Sequence, residues 1–276
     1  MSTLIVSNRL DPFNGNLGDF ASDPSLYFPW LQSAKKMQLD RVGAKVLPIR
    51  RLRGANVIIG GGGLLETTLP AFKWGMERVI RHADPARTVV WGAGLNAHGA
   101  DNATAILPSY LDDLALVGIR DYLPGRTRWV PCSSVLLPEL QQDYKVTQEA
   151  VIYDNWQFPW VNDTFLSRMV NNRRFASPAA KRAAVSQVIA FLGSAEVVLT
   201  SAYHGALWAT LLGKKVVVTR PFSSKFNYFR HKPVVLEEGE QWQDAAERAR
   251  AYPDVLDDYR TEVNKFADEV RALFRL

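Results

Sequence analysis

Along the chain, short apolar runs rich in β-branched residues alternate with stretches in which apolar residues recur every three or four positions. This is the pattern of parallel strands flanked by helices. In the first half it predicts strands at Leu4–Val6, Lys45–Pro48, Asn56–Ile59, Thr88–Trp91 and Leu114–Gly118, with helices near Pro24–Met37 and Lys73–His82. A second series predicts strands at Ala150–Tyr153, Glu196–Thr200 and Lys215–Thr219, separated by helices near Asp163–Val170, Pro178–Leu192 and Tyr203–Leu212. Beyond Pro253, Leu256, Tyr259, Val263, Phe266, Val270 and Leu273 share one stripe of a long amphipathic helix. The expected fold class is α/β, as two Rossmann-like domains facing a cleft. The polar segment Pro138–Gln148 sets the boundary, with an N-terminal domain over residues 1–140 and a C-terminal domain over residues 141–276 that ends in the long helix.

The formal net charge of +5, spread without long runs, favours an anionic partner or an anionic membrane surface. Nucleic acid is not expected, because the chain carries no helix-turn-helix signature, no zinc-finger spacing and no basic-aromatic strand pair. A lone cysteine, Cys132, excludes an internal disulfide and any multi-cysteine metal site, and suits a reducing cytoplasm. No metal is expected from the histidines either, since His82, His98, His204 and His231 lack ligand spacing. The apolar run Leu4-Ile5-Val6 is soon broken by Asn8 and Arg9, so it reads as a strand rather than a signal peptide. No stretch approaches the roughly 18 apolar residues of a membrane span, and any membrane contact is expected to be peripheral.

Candidate chemistry gathers at the ends of the strands. In Ser201-Ala202-Tyr203-His204-Gly205-Ala206 a histidine opens a helix directly after a buried strand. The unpaired N–H groups and dipole of such a first turn bind phosphate or carboxylate, and an imidazole beside that anion can move a proton. The competing reading makes His204 the head of an apolar stripe with Leu207 and Leu211. Asn14-Gly15-Asn16-Leu17-Gly18-Asp19 follows the first strand, where its glycines allow close backbone approach and Asp19 can accept a proton or orient a sugar hydroxyl; an Asx-rich turn capping the next helix is the alternative. Gly60-Gly61-Gly62-Gly63 follows Val57–Ile59, and Gly92-Ala93-Gly94-Leu95-Asn96 repeats the device after the next strand. The glycines do not fit the dinucleotide fingerprint or a phosphate loop, so NAD and ATP are disfavoured. Arg120, at the end of the fifth strand, offers a planar fork for phosphate or carboxylate. Past Thr219, the cations Arg220, Lys225, Arg230, His231 and Lys232 interleave with Phe222, Phe226, Tyr228 and Phe229, either as a grip for an acidic sugar or phosphate or as a solvated loop pinned by its rings. No Ser-His-Asp order or nucleophile elbow is present.

In their order along the chain, Asn16-x-Gly18-Asp19, Gly60 to Gly63, Gly92-x-Gly94, Gly118-x-Arg120-Asp121, Ser201-x-x-His204-Gly205 and Lys225 resemble the polysaccharide pyruvyl transferase family, in particular its exopolysaccharide pyruvyl transferase branch. The resemblance implies a two-domain protein of GT-B type that moves the enolpyruvyl skeleton of phosphoenolpyruvate onto a sugar or lipid-linked oligosaccharide as a ketal, with no cofactor beyond that donor. It implies His204 and Asp19 as catalytic residues, and Arg120, Ser201, Tyr203, Gly205 and Lys225 on the donor side. Asn16, Gly18, Gly61, Gly62, Gly63 and Asn96 would face the acceptor from the first domain. The chain is expected to work in the cytoplasm, at most peripheral to the inner membrane. It departs from the family in two places: Ala202 stands where many members carry arginine, and Pro131-Cys132-Ser133-Ser134 stands where an Asp-Pro pair is common. The alternatives are a GT-B glycosyltransferase using a nucleotide sugar, on the same architecture, and a noncatalytic sugar-binding component of a polysaccharide assembly system.

Overall fold

The computed structural model describes residues 2–7, 14–39, 49–65, 70–97, 106–160, 165–171, 173–175 and 177–276. Ten strands form two parallel five-stranded sheets. The first contains β1 (Thr3–Ser7), β3 (Lys35–Gln38), β4 (Asn56–Gly60), β5 (Thr88–Ala93) and β6 (Leu116–Ile119), in the order β3-β1-β4-β5-β6. The second contains β7 (Gln148–Asp154), β8 (Ser167–Val170), β10 (Ala195–Thr200), β11 (Lys215–Val218) and β12 (Val234–Val235), in the order β12-β11-β10-β7-β8. Counted within each sheet, both follow the same 2-1-3-4-5 order. In such sheets a crevice opens where the order reverses, between β1 and β4 in one and between β7 and β10 in the other.

The central strands β4 and β5 are buried on both faces, which explains their unbroken apolar runs. Between them run α1 (Leu17–Ala21), α2 (Pro70–His82), α3 (Pro178–Gly193), α4 (Tyr203–Leu211), α5 (Trp242–Arg248) and α6 (Leu256–Phe274). Helix α3 starts where Ser177 Oγ accepts from Ala180 N with proline at its first position, a sequence-encoded start. Helix α6 crosses back to the first sheet: Phe266 meets Trp91 at 5.5 Å and packs on Gly118, Arg128 pairs with Glu269, and Arg260 donates to the carbonyls of Val135 and Leu137. A short antiparallel pair, β2 (Asn14–Gly15) with β9 (Arg173–Arg174), joins the two halves.

Two expected helices are replaced. Pro24–Met37 forms 3-10 turns at Pro24–Leu26 and Pro29–Leu31 followed by strand β3, because Pro24 opens a turn that Pro29 keeps from continuing as a helix. Within the expected helix at Asp163–Val170, residues 167–170 are edge strand β8 and residues 163–164 lie outside the described residues. The strand expected at Lys45–Pro48 and His98 also lie outside them. Among the described residues no helix is long and apolar enough to cross a membrane.

Candidate active site

Strand β10 delivers the chain to the crevice of the second sheet, and α4 begins there without a side-chain cap at Ala202. The first intrahelical bond runs from Ala206 N to Ala202 O, so the amides of the preceding residues head the helix. Below them Ser201 Oγ donates to Asp154 Oδ1 (3.0 Å) and accepts from Asn155 N (2.9 Å). Gly205 lies where a side chain would collide with Thr200 and Tyr153. Ser201 and Gly205 therefore seat the helix on its strand.

His204 is 4% exposed and enclosed by both halves of the chain. Its Nε2 lies 3.4 Å from Cys132 Sγ, Trp208 packs beside the ring at 5.4 Å, and Nδ1 faces Gly18 so closely that any Cβ there would overlap it. Trp208 Nε1 donates to Ser134 Oγ (3.1 Å), which donates to Cys132 Sγ (3.2 Å). Burial pushes the Cys132 thiol up, so it stays neutral beside Nε2, while Nδ1 faces α1.

Arg120 projects from the end of β6, its backbone tied to Ala93 O (3.0 Å) and to Trp129 Nε1 (3.1 Å). Its guanidinium lies 3.9 Å from the centre of the Tyr203 ring, and its buried Nε has no protein hydrogen-bond partner. The next residue, Asp121, accepts from Leu95 N (2.6 Å) and holds the loop after β5 against the strand end. Lys225 sits in a 3-10 turn, Ser224–Phe226, pinned to the first half by two bonds: Ser224 N to Ala97 O (2.9 Å) and Ala97 N to Ser224 Oγ (3.0 Å). Burial and the neighbouring Arg120 bring the Lys225 ammonium down to about 7, against an opposing pull from Asp19. His204 is held well below its ordinary value by burial, then by Arg120 and Lys225. Two cationic side chains thus face the buried imidazole, with the Asp19 carboxylate opposing their effect at Lys225.

The structure brings together Asp19, Arg120, Tyr203, His204 and Lys225, five of the sequence-derived residues. Asn16 is committed elsewhere: its Oδ1 caps α1 through Gly18 N (2.9 Å) and accepts from Asn171 Nδ2 (3.0 Å). Gly61 has φ +76° and packs on Ser22 at the end of α1; Gly62 O accepts from Gly94 N (3.1 Å), and Gly63 abuts Asn96. These glycines let two strand-end loops lie on one another, and Asn96 Oδ1 is buried without a partner beside them. Among the described residues no group of His, Cys, Asp and Glu is arranged to hold a metal.

A family model described as polysaccharide pyruvyl transferase matches residues 5–221, a span that includes His204 and Arg120. The chain belongs to that family. A solved structure of a functionally uncharacterized protein from Klebsiella pneumoniae subsp. pneumoniae NTUH-K2044 is similar over 78% of this chain and 82% of that one, at 15% identity and a TM-score of 0.49. No curated protein matches the chain.

In this member of the polysaccharide pyruvyl transferase family, two residues escaped the sequence reading. Cys132 registered as a lone cysteine and as part of a departure from the family pattern, not as a site residue, yet it contacts His204 across 72 positions of sequence. Asn171 binds both Leu17 N and Asn16 and joins the halves beside the site; nothing in the surrounding polar sequence marks it.

Proposed function

We propose that this chain transfers the pyruvyl group of phosphoenolpyruvate to a sugar of an exopolysaccharide, cell-surface glycan or lipid-linked precursor, forming a ketal and releasing inorganic phosphate. The convergence of Arg120 and Lys225 on the head of α4, with His204 between the two halves, is the observation that carries the reading. In it, residues 1–140 and 141–276 act as the acceptor and donor sides of a GT-B-type enzyme of the cytoplasm, with no cofactor beyond the donor.

Arg120, Lys225 and the α4 amides hold the donor's phosphate and carboxylate. A proton adds to C3, C2 becomes an oxocarbenium-like centre, and a sugar hydroxyl attacks C2 as its own proton leaves. The C2–O bond to phosphate then breaks, and a second hydroxyl closes the ketal as it too loses its proton. One of the two hydroxyl protons leaves with phosphate and the other balances the proton delivered to C3. His204 Nδ1 supplies the C3 proton, because the donor's negative charge offsets Arg120 and Lys225 and raises the imidazole toward working pH. Asp19, on the same helix as Gly18, takes a hydroxyl proton. Gly18 covers Nδ1, so α1 withdraws to admit the donor and returns to exclude water.

Calorimetry with phosphoenolpyruvate on the wild type and His204→Ala tests this, with uridine and guanosine diphosphate sugars alongside. Donor binding that weakens in the variant, with phosphate release lost by at least about 100-fold, supports the assignment. Nucleotide-sugar binding without any response to phosphoenolpyruvate overturns it.

A further inference from the structure

The loop that carries Lys225 continues into a groove that the chemistry above leaves unused. The groove has a volume of 1180 Å³ and lies between the segment after β6 and the stretch from Pro221 to Val235. That exceeds the roughly 300–1,000 Å³ of a site for one small molecule. Its walls are aromatic, with Tyr122 39% exposed and Tyr228 and Tyr252 beside it, and Arg230 and Lys232 supply positive charge. Ser223 is 3% exposed, lines the groove, and its Oγ is buried without a hydrogen-bond partner, a donor and acceptor held ready for a ligand.

Two further lining residues tie the groove to the donor site. Phe226 lies 5.3 Å from Lys225 Nζ, and Phe229 stacks on Tyr203 at 4.7 Å, the ring that also carries Arg120. A backbone bond from Tyr122 N to Tyr228 O (2.8 Å) closes the wall between the halves. Arg230 is already stacked on Trp129 at 4.6 Å and paired with Asp258 at 3.5 Å, which fixes its guanidinium at the rim; Lys232 is exposed.

We propose that this groove binds the part of the acceptor that extends beyond the reacting sugar, and that the segment bound there is an acidic oligosaccharide. Pyranose rings stack on the tyrosines, a sugar hydroxyl meets Ser223, and carboxylates or other acidic substituents meet Lys232 and Arg230. The proposal rests on the transferase reading for the word acceptor, but its binding chemistry can be measured without turnover.

The probes are tetragalacturonate and cellotetraose, titrated calorimetrically into the full chain, into Lys232→Ala and into Tyr122→Ala, with phosphoenolpyruvate binding measured separately in each. Expected is an acidic tetrasaccharide bound at least about 10-fold more tightly than the neutral one, weakened about fivefold by each substitution, with donor binding unchanged. Lys232 is exposed and its loss leaves the fold intact; Ser223→Ala, which removes no protein hydrogen bond, is expected to weaken both sugars. Equal affinity for the two tetrasaccharides overturns the acidic assignment. No binding of either, or binding indifferent to all three substitutions, overturns the groove. If the groove fails while phosphoenolpyruvate still binds at His204, the transferase reading stands, and the converse result removes that reading alone.

Discussion

His204 Nε2 and Cys132 Sγ lie 3.4 Å apart in the buried centre of the site, one from the head of α4 and the other from the segment after the first sheet. The imidazole is therefore oriented by a neutral thiol, where a carboxylate partner would favour its charged form. Replacing the thiol by a carboxylate tests this. In Cys132→Asp the imidazole is expected to stay protonated to higher pH, moving the alkaline limb of the kcat profile up by about one unit or more. An unmoved limb would show that the ring does not sense this position.

Gly18 lies so close to His204 Nδ1 that a methyl group has no room. Gly18→Ala is expected to fold with a stability loss of about 1–3 kcal/mol and to lose at least about 100-fold in kcat/KM, since α1 can no longer close over the ring. Thermal melts of the double variant with His204→Ala, which removes the obstructing ring, should recover most of the lost stability. Additive losses would mean that the two residues do not meet.

Lys225, brought down to about 7, is largely neutral at pH 8, and an anion bound beside it raises its affinity for a proton. Donor binding at pH 8 is therefore expected to take up a proton, and affinity is expected to fall as pH rises above about 7. Calorimetry in two buffers of different ionisation enthalpy gives the count directly. Proton release on binding would contradict the sign, and Lys225→Met is expected to reduce this uptake to the share taken by His204.

Asn171 contributes nothing to the chemistry but holds α1 where the chemistry needs it, accepting from Leu17 N (3.2 Å) and donating to Asn16 Oδ1 (3.0 Å). Asn171→Ala leaves a buried amide unpaired and is expected to cost about 1–3 kcal/mol, or several degrees in Tm. If α1 is held by this side chain, donor affinity falls as well; a change in Tm alone would confine the residue to folding.

The central strands were legible because parallel strands buried on both faces read as continuous β-branched runs: Thr88–Trp91 and Glu196–Thr200 fall within β5 and β10. Of the edge strands, β6 was legible at Leu114–Gly118, but β3, β8 and β12 were not. In β3 two lysines face solvent and only Met37 is buried, and β8 has no fully buried residue, so neither carries the apolar signal that marks a strand. The repeated strand order was invisible for another reason, since it resides in connectivity and the two halves share no motif. At the site, Arg120 and His204 were found because they lie just past the ends of β6 and β10 and therefore reach a crevice, and Lys225 because it stands in the cation- and ring-rich loop after β11. Cys132 follows no named strand, and Asn171 follows only the weakly marked edge strand β8. Their roles arise from tertiary contacts 72 and 154 positions away, which no local pattern encodes.

The return of α6 to the first sheet sets an order on the birth of the protein. Phe266 is fully buried and covers Trp91 and Gly118, so that face of the first sheet stays incompletely covered until residues 256–274 have emerged. A half that is first to be synthesised is thus among the last to be finished, with the Trp91 ring packed until then on Phe28 and Trp30 of its own half.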